Sequence, residues 1–148
     1  MYELNVNKIE HLEQLLPFIK QLEEHYPDTE KWFDKVKAEI LGGTGIRDLI
    51  TVVYGARVVG MAILKNTEEE KKVCSIMVSP EHSGRGIGKL ILDMAFIMLR
   101  TKHPLITVNS VVYAVSSLKY LLKGMGFIYS KTVKNLYKDG EDELFFNW

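Results

Sequence analysis

Cysteine is nearly absent from this chain of 148 residues: there is one, Cys74. An internal disulfide framework is excluded, and the usage suits a reducing compartment. An excess of either charge is also missing. Lys plus Arg and Asp plus Glu number 19 each, for a formal net charge of zero. Nothing in the bulk charge draws the chain toward nucleic acid or an anionic membrane. Long hydrophobic runs are missing as well: Leu90 to Leu99 is interrupted by Asp93 and is too short to span a bilayer. The opening "MYELNVNKIEHLEQLL" has no charged head followed by an apolar core, so it does not read as a signal peptide. His11, His25 and His103 share no metal-ligand spacing, and no metal site is expected. These absences lead us to expect a cytoplasmic, soluble protein, monomeric or homodimeric, without a nucleic-acid or membrane partner.

What is present is an ordinary globular balance, 47% apolar and 26% charged. That is enough for one domain over residues 1–148 with a core of its own. Tyr2 to Val6 reads as a short strand. Ile9, Leu12, Leu15, Leu16, Ile19 and Leu22 recur at helical spacing, with Pro17 marking a kink or interruption. "YPDTEKWFDKVKAEIL" reads as a second helix, capped by Asp28 or Thr29, with Trp32, Phe33, Val36 and Ile40 on its buried face. "GGTG", Gly42 to Gly45, breaks it. "DLITVVY" and "RVVGMAILK" form a hairpin across Gly55-Ala56, and "VCSIMVS" is a third strand of this section. A helix follows from about Gly86 to Arg100, apolar on most of its circumference and therefore expected to be covered on more than one side. "PLITVNSVV" is again a strand, giving a parallel, right-handed crossover from Val73 to Val111. A short helix, "SSLKYLLKGMGF", ends at glycine, and "FIYSKTVKNLY" pairs with "ELFFNW" across Asp139-Gly140. The fold class is α/β with a mixed sheet, in the order β-α-α-β-β-β-α-β-α-β-β.

The stretch "PEHSGRGIGKLIL", Pro80 to Leu92, carries three glycines and two cations in front of the apolar helix. A pyrophosphate cradle needs glycines for close backbone approach, several N–H groups pointing one way, and a helix N-terminus behind them. Gly84-Arg85-Gly86-Ile87-Gly88-Lys89 supplies all three; a plain tight turn would use the same glycines. Two familiar nucleotide loops fail in detail. A P-loop requires glycine at Ser83 and a hydroxyl at Leu90. The dinucleotide fingerprint requires glycine at Lys89.

With its surroundings, "IMVSPEHSGRGIGKLIL" resembles the acetyl-CoA signature of the Gcn5-related N-acetyltransferase (GNAT) family. There an apolar-Val-x-Pro strand end leads into an Arg/Gln-x-x-Gly-x-Gly/Ala loop and a long helix. The glycines match, and Ser83 replaces the usual arginine or glutamine. "GMGF", Gly124 to Phe127, resembles the family's second recurrent stretch, and the element order matches over nearly the whole chain. The resemblance implies a GNAT-like acyl-CoA N-acyltransferase fold and transfer of acetyl from acetyl-CoA, a cosubstrate, to a primary amine of a small molecule or peptide. Its cofactor-binding residues would be Ser83, Gly84, Arg85, Gly86, Ile87, Gly88 and Lys89 at the pyrophosphate. Main-chain groups of Ile76, Met77 and Val78 would line the pantetheine arm. An N–H of Ile76 or Met77 would stabilise charge on the thioester carbonyl.

The proton-transfer groups depart from the family pattern. The usual acidic tyrosine position holds Leu122, and Tyr120 lies roughly 200° around the helix from it. Val115 stands where an asparagine is common, and Ser116 or Ser117 could donate a hydrogen bond there or simply cap the helix. Val73 to Ser79 contains no carboxylate for a base; Cys74 reads as a small buried filler and His82 as a surface or phosphate contact. Glu24 and Asp28 are further candidates. The family's acceptor site would here involve "EEHYPDTEKW", "GGTGIRD", Tyr129, Tyr137 and Phe146. Glu23, Glu24, Asp28 and Glu30 would attract a cationic amine, or form a solvated helix end. The missing tyrosine and strand carboxylate keep a second reading open, a GNAT-like module that binds acyl-CoA as a sensor without efficient catalysis.

Overall fold

The computed structural model describes residues 1–109 and 115–147. Strand β1 is Tyr2–Val6. The apolar repeat after it splits at the proline. Ile9–Leu15 winds as a 3-10 stretch, and helix α1, Leu16–Glu23, begins with Pro17 in its first turn. A proline there lacks only an N–H that the helix leaves unpaired anyway. Helix α2 is Thr29–Leu41. Its N-terminus is not capped by a side chain as the sequence suggested. Asp28 sits at φ 58 without a capping bond, and the Thr29 hydroxyl donates back to the Tyr26 carbonyl at 2.5 Å. Phe33, Val36 and Ile40 are buried as the spacing requires, and Trp32 is half-buried.

Strands β2 (Arg47–Tyr54) and β3 (Arg57–Asn66) form the expected hairpin, with Tyr54 opposite Arg57. Strand β4 is Lys71–Val78, helix α3 is Ile87–Leu99, and strand β5 is Leu105–Asn109. The expected continuation of β5 through Val111 lies outside the described residues. Helix α4 (Val115–Gly124) and strands β6 (Ile128–Lys138) and β7 (Glu141–Asn147) complete the order. The expected last strand residue, Trp148, also lies outside. The described strands make one sheet in the order β1-β2-β3-β4-β5-β7-β6. The described pairings are antiparallel apart from β4 with β5.

Both faces of this sheet are covered, which is why β2 and β3 read as nearly continuous apolar runs. On one face Ile50, Val52, Ala62 and Val73 pack with Ile87, Ile91, Ala95 and Leu99 of α3 and with Leu122 and Phe127. On the other, Leu49, Met61 and Ile63 pack with Leu15, Ile19, Phe33 and Val36. Helix α3 is covered on more than one side, as its apolar circumference suggests: its sheet-facing stripe is buried and its flank meets α4, while Leu90 and Ile97 remain exposed. "GMGF" ends α4, with the Phe127 N–H donating to the Leu122 carbonyl at 2.9 Å and Gly126 at φ 92.

The start of α3 is set by one close approach. A Cβ on Gly60 of β3 would lie 2.9 Å from Ile87 Cγ2 and 3.2 Å from Ile91 Cδ1. Gly60→Ala should therefore push the first turn of α3 off the sheet and cost about 1–3 kcal/mol of stability, in the range of other overpacked cores. Chemical denaturation measures this; an unchanged midpoint would show that Ile87 yields freely.

Candidate active site

The site begins with a defect in β4. Ile63 of β3 pairs with Ser75 and Leu64 with Val73, so Cys74 is an extra residue on β4, a β-bulge. Below it Val73 packs into the α3 core, whereas Cys74 packs with the opposite cluster. Above it the pairing is regular, Ala62 with Ile76, Met61 with Met77 and Gly60 with Val78, and the Ser79 N–H donates to the Val59 carbonyl at 2.8 Å. Antiparallel alternation then aims the Met77 amide at β3 and the Ile76 and Val78 amides at the opposite edge. That edge faces β5. Among the described residues the parallel pairing covers only Lys72 with Leu105 and Val73 with Ile106. Beyond them the sheet opens.

The glycine-rich turn lies at the end of the same strand. Pro80–His82 makes a 3-10 turn, and Gly84 and Gly86 take φ 74 and 80, the left-handed region that side chains avoid. The first α3 main-chain bond is donated by Leu90 to the Gly86 carbonyl at 3.0 Å, so the amides before it have no intrahelical acceptor. A Cβ at Gly84 or Gly86 would meet nothing within 4 Å, which leaves the loop surface open to an anion. Its approach is braced from β1. Tyr2 hydroxyl pairs with Nδ1 of His82 at 2.9 Å and accepts from Arg85 Nη1 at 3.1 Å, and the rings of Tyr2, Tyr54 and His82 pack together. Lys89 is paired with Asp93 at 2.8 Å.

On the α1–α2 side of the sheet opening lies a cavity of about 500 Å³. Its walls come from α1, the α1–α2 connection, α2 and every strand from β2 to β7. Glu143 of β7 is its central acid, 3% exposed. The Tyr26 hydroxyl donates to this carboxylate at 2.9 and 3.1 Å, and Thr107 Oγ1 donates at 3.0 Å. Burial pushes the Glu143 carboxyl above the usual glutamate range, while the two hydroxyl donors and the charge of Lys72 pull it back. A carboxyl so placed holds its proton to higher pH than an exposed glutamate does.

Arg47 forms the other pole. It is 9% exposed, lines the cavity and donates from Nη1 to Cys74 Sγ at 3.2 Å, with Nε 3.6 Å from Glu39. Burial raises the Cys74 thiol pKa, so Cys74 is a neutral half-buried filler. Across the mouth, Tyr137 stacks edge-on against Tyr26 at 5.2 Å, His25 bonds Glu141, and Lys138 reaches Glu141 at 3.3 Å. These contacts tie the β6–β7 hairpin to the α1–α2 connection.

The structure brings together Ile76, Met77, Val78 and the Ser83 to Lys89 loop along one strand and the helix after it. Ser117 is exposed on α4, as is Ser116. Leu122 is fully buried, so no phenol can occupy that position, and Tyr120 is 84% exposed. Of the acceptor-side aromatics, Tyr137 lines the cavity, Phe146 is a core residue, and Tyr129 stacks on Phe146 outside. Glu23, Glu24, Asp28 and Glu30 are all exposed, and only Asp28 among them borders the cavity. Glu143, Thr107 and Lys72 were not legible as a site, and nothing within "EEHYPDTEKW" and "GGTGIRD" singled out Tyr26 or Arg47. "GEDELFF" reads as an acidic turn; the one signal is that Glu143 shares a strand face with Phe145. Among the described residues no group of His, Cys, Asp and Glu could hold a metal ion, and no helix is long and apolar enough to cross a membrane. Carboxyl NMR should place the Glu143 midpoint above that of an ordinary glutamate and higher still in Tyr26→Phe, because a donor to the charged form is lost. A midpoint unmoved by that substitution would contradict the hydroxyl's role.

No protein of curated function matches the chain by sequence. Solved structures do match its shape. An acetyltransferase assigned to the GNAT family from Desulfovibrio desulfuricans superposes with a TM-score of 0.80 at 13% identity, over 100% of this chain and 98% of that one. The ribosomal-protein-S18-alanine N-acetyltransferase from Escherichia coli gives 0.75 at 17% identity, over 99% and 92%. A Salmonella typhimurium protein assigned as an acetyltransferase, solved with its cofactor acetyl-CoA, gives 0.73 at 15% identity, over 99% and 92%. At these identities the likeness shows the fold. The family model described as "Acetyltransferase (GNAT) domain" matches residues 19–140. With that match over most of its length, the chain belongs to the GNAT acetyltransferases.

Proposed function

We propose that this acyltransferase moves an acetyl group from acetyl-CoA to a primary amine by direct attack, with Glu143 as the general base. The observation that carries the reading is the loss of β4–β5 pairing past Val73 and Ile106, on a strand that runs from Lys72 and Cys74 in the wall of the Glu143 cavity to the glycine loop at its other end. The amides from Arg85 to Lys89 receive the pyrophosphate at the α3 N-terminus. The exposed edge of β4 offers Ile76 and Val78 to the pantetheine arm in the manner of an added strand. Since the Met77 amide belongs to the β3 ladder, the Ile76 N–H is the donor that meets charge developing on the thioester oxygen.

Glu143 takes a proton from the acceptor ammonium, directly or through one water. The freed nitrogen lone pair bonds to the thioester carbon, the C–S bond breaks, CoA leaves as its thiolate, and the surplus proton left on the acylated nitrogen passes through solvent to that thiolate. Tyr26 and Thr107 hold the carboxylate in place through this sequence. The buried Leu122 is what the sensor reading rests on, because it removes the usual proton donor to the thiolate. Thiol release on an amine panel separates the two readings.

Acetyl-CoA and CoA should raise the melting temperature, since binding to the native state stabilises it, and ATP should not. Gly86→Asp should abolish that shift with the fold intact, because aspartate tolerates a positive φ and repels the pyrophosphate. Equal shifts with ATP would remove the CoA assignment. Glu143→Gln should lower kcat by about 100- to 10,000-fold. It should also remove the limb along which activity rises with pH as Glu143 ionises. The CoA shift should survive; a variant with normal kcat would exclude Glu143 as the base.

A further inference from the structure

We propose that the acceptor amine bears a carboxylate a few bonds from its nitrogen, an amino-acid-like substrate, and that Arg47 with Lys72 binds that carboxylate. The inference rests on the acetyl-transfer reading and names the chemistry of its acceptor.

Arg47 carries most of the argument. A guanidinium has five N–H donors in a planar fork, and burying one is tolerated when those donors are satisfied. Here the side chain is 9% exposed, yet its hydrogen bond goes to Cys74 Sγ, a weak neutral acceptor. Nε is buried and makes no hydrogen bond; Glu39 at 3.6 Å offers charge but lies too far away to accept. Such a group, on a cavity wall, is built for a bidentate anion.

The rest of the cavity agrees. Lys31, Lys35, Arg47, Lys65 and Lys72 line it against Asp28, Glu70 and Glu143. Glu70 is paired with Lys65 at 3.1 Å, and burial works against charge on Glu143. A polycationic amine would face the wrong sign, and the exposed acids Glu23, Glu24 and Glu30 lie outside these walls. Geometry sets the spacing. The guanidinium rests against Cys74 on β4 and the Glu143 carboxylate against Thr107 on β5. Adjacent strands lie about 5 Å apart where paired, and Cys74 and Thr107 directly follow the last paired residues, Val73 and Ile106. An amine on Glu143 and a carboxylate on Arg47 can belong to one small molecule whose two groups are a few bonds apart. A cavity of about 500 Å³ with Leu22 and Trp32 in its wall leaves room for an apolar side chain.

The test is thiol release from acetyl-CoA with matched acceptors: α-amino acids, their α-amides and the corresponding decarboxylated amines. The acids should exceed the other two in kcat/KM by about 10- to 100-fold, as expected for hydrogen bonds to a charged group. That ratio should fall toward one in Arg47→Met and in Lys72→Met, and partly return in Arg47→Lys. The CoA melting shift should persist in each variant, showing an intact donor site. Should Arg47→Met fail to fold, Lys72→Met on its half-exposed strand position decides the matter. Amides and decarboxylated amines used as well as the acids would overturn the carboxylate inference while leaving acetyl transfer standing. Thiol release on no amine, with the CoA shift present, would remove the transfer reading and this inference with it.

Discussion

Strands β4 and β5 run parallel and touch in register at Lys72–Leu105 and Val73–Ile106, and the described sheet parts from there. An interior strand edge that loses its neighbour keeps N–H and C=O groups that need partners. The bulge at Cys74 sits immediately above the last paired residues. It turns the chain so that the Ile76 and Val78 amides face the gap while the Arg47–Cys74 contact lies on the α1–α2 side. In the proposed reaction this one local irregularity serves both substrates, because it lies between the unpaired β4 edge and the cavity that Cys74 lines.

The two faces of the sheet divide the work. The α3 face is the rigid one, where Gly60 admits Ile87 and Ile91 to close contact and fixes the N-terminus that follows the glycine turn. Backbone amides held this way need no reorganisation when an anion arrives. The α1–α2 face carries the ionisable groups. There Glu143, Tyr26 and Thr107 sit on three separate elements, and a buried carboxyl is kept usable by two hydroxyl donors and a nearby lysine. His25, Glu141 and Lys138 fasten the hairpin over it.

Much of the fold could be read from the sequence. Period-2 runs, the Gly55-Ala56 and Asp139-Gly140 turns and the Pro17 break each gave their element, because those signals are local and steric. The glycine turn before α3 was legible for the same reason, and the pyrophosphate role proposed for it needs backbone and glycines and almost no side chain. The misread cap has a different cause. Asp28 makes no capping bond, and the Thr29 hydroxyl donates to the Tyr26 carbonyl instead. That outcome depends on a turn geometry that the local pattern does not contain.

Glu143 and Arg47 mark the limit. Glu143 is one acid in an acidic turn and Arg47 a single cation at the start of an apolar strand, far from the signature and 96 positions apart. The sequence by itself determined the element order, the mixed sheet and the glycine turn into α3, because local sterics and periodicity encode them. Only the tertiary structure decided which acid is buried, which guanidinium keeps an unbonded Nε and that both line one cavity. Desolvation and convergence are properties of packed neighbours, and no stretch of chain carries them alone.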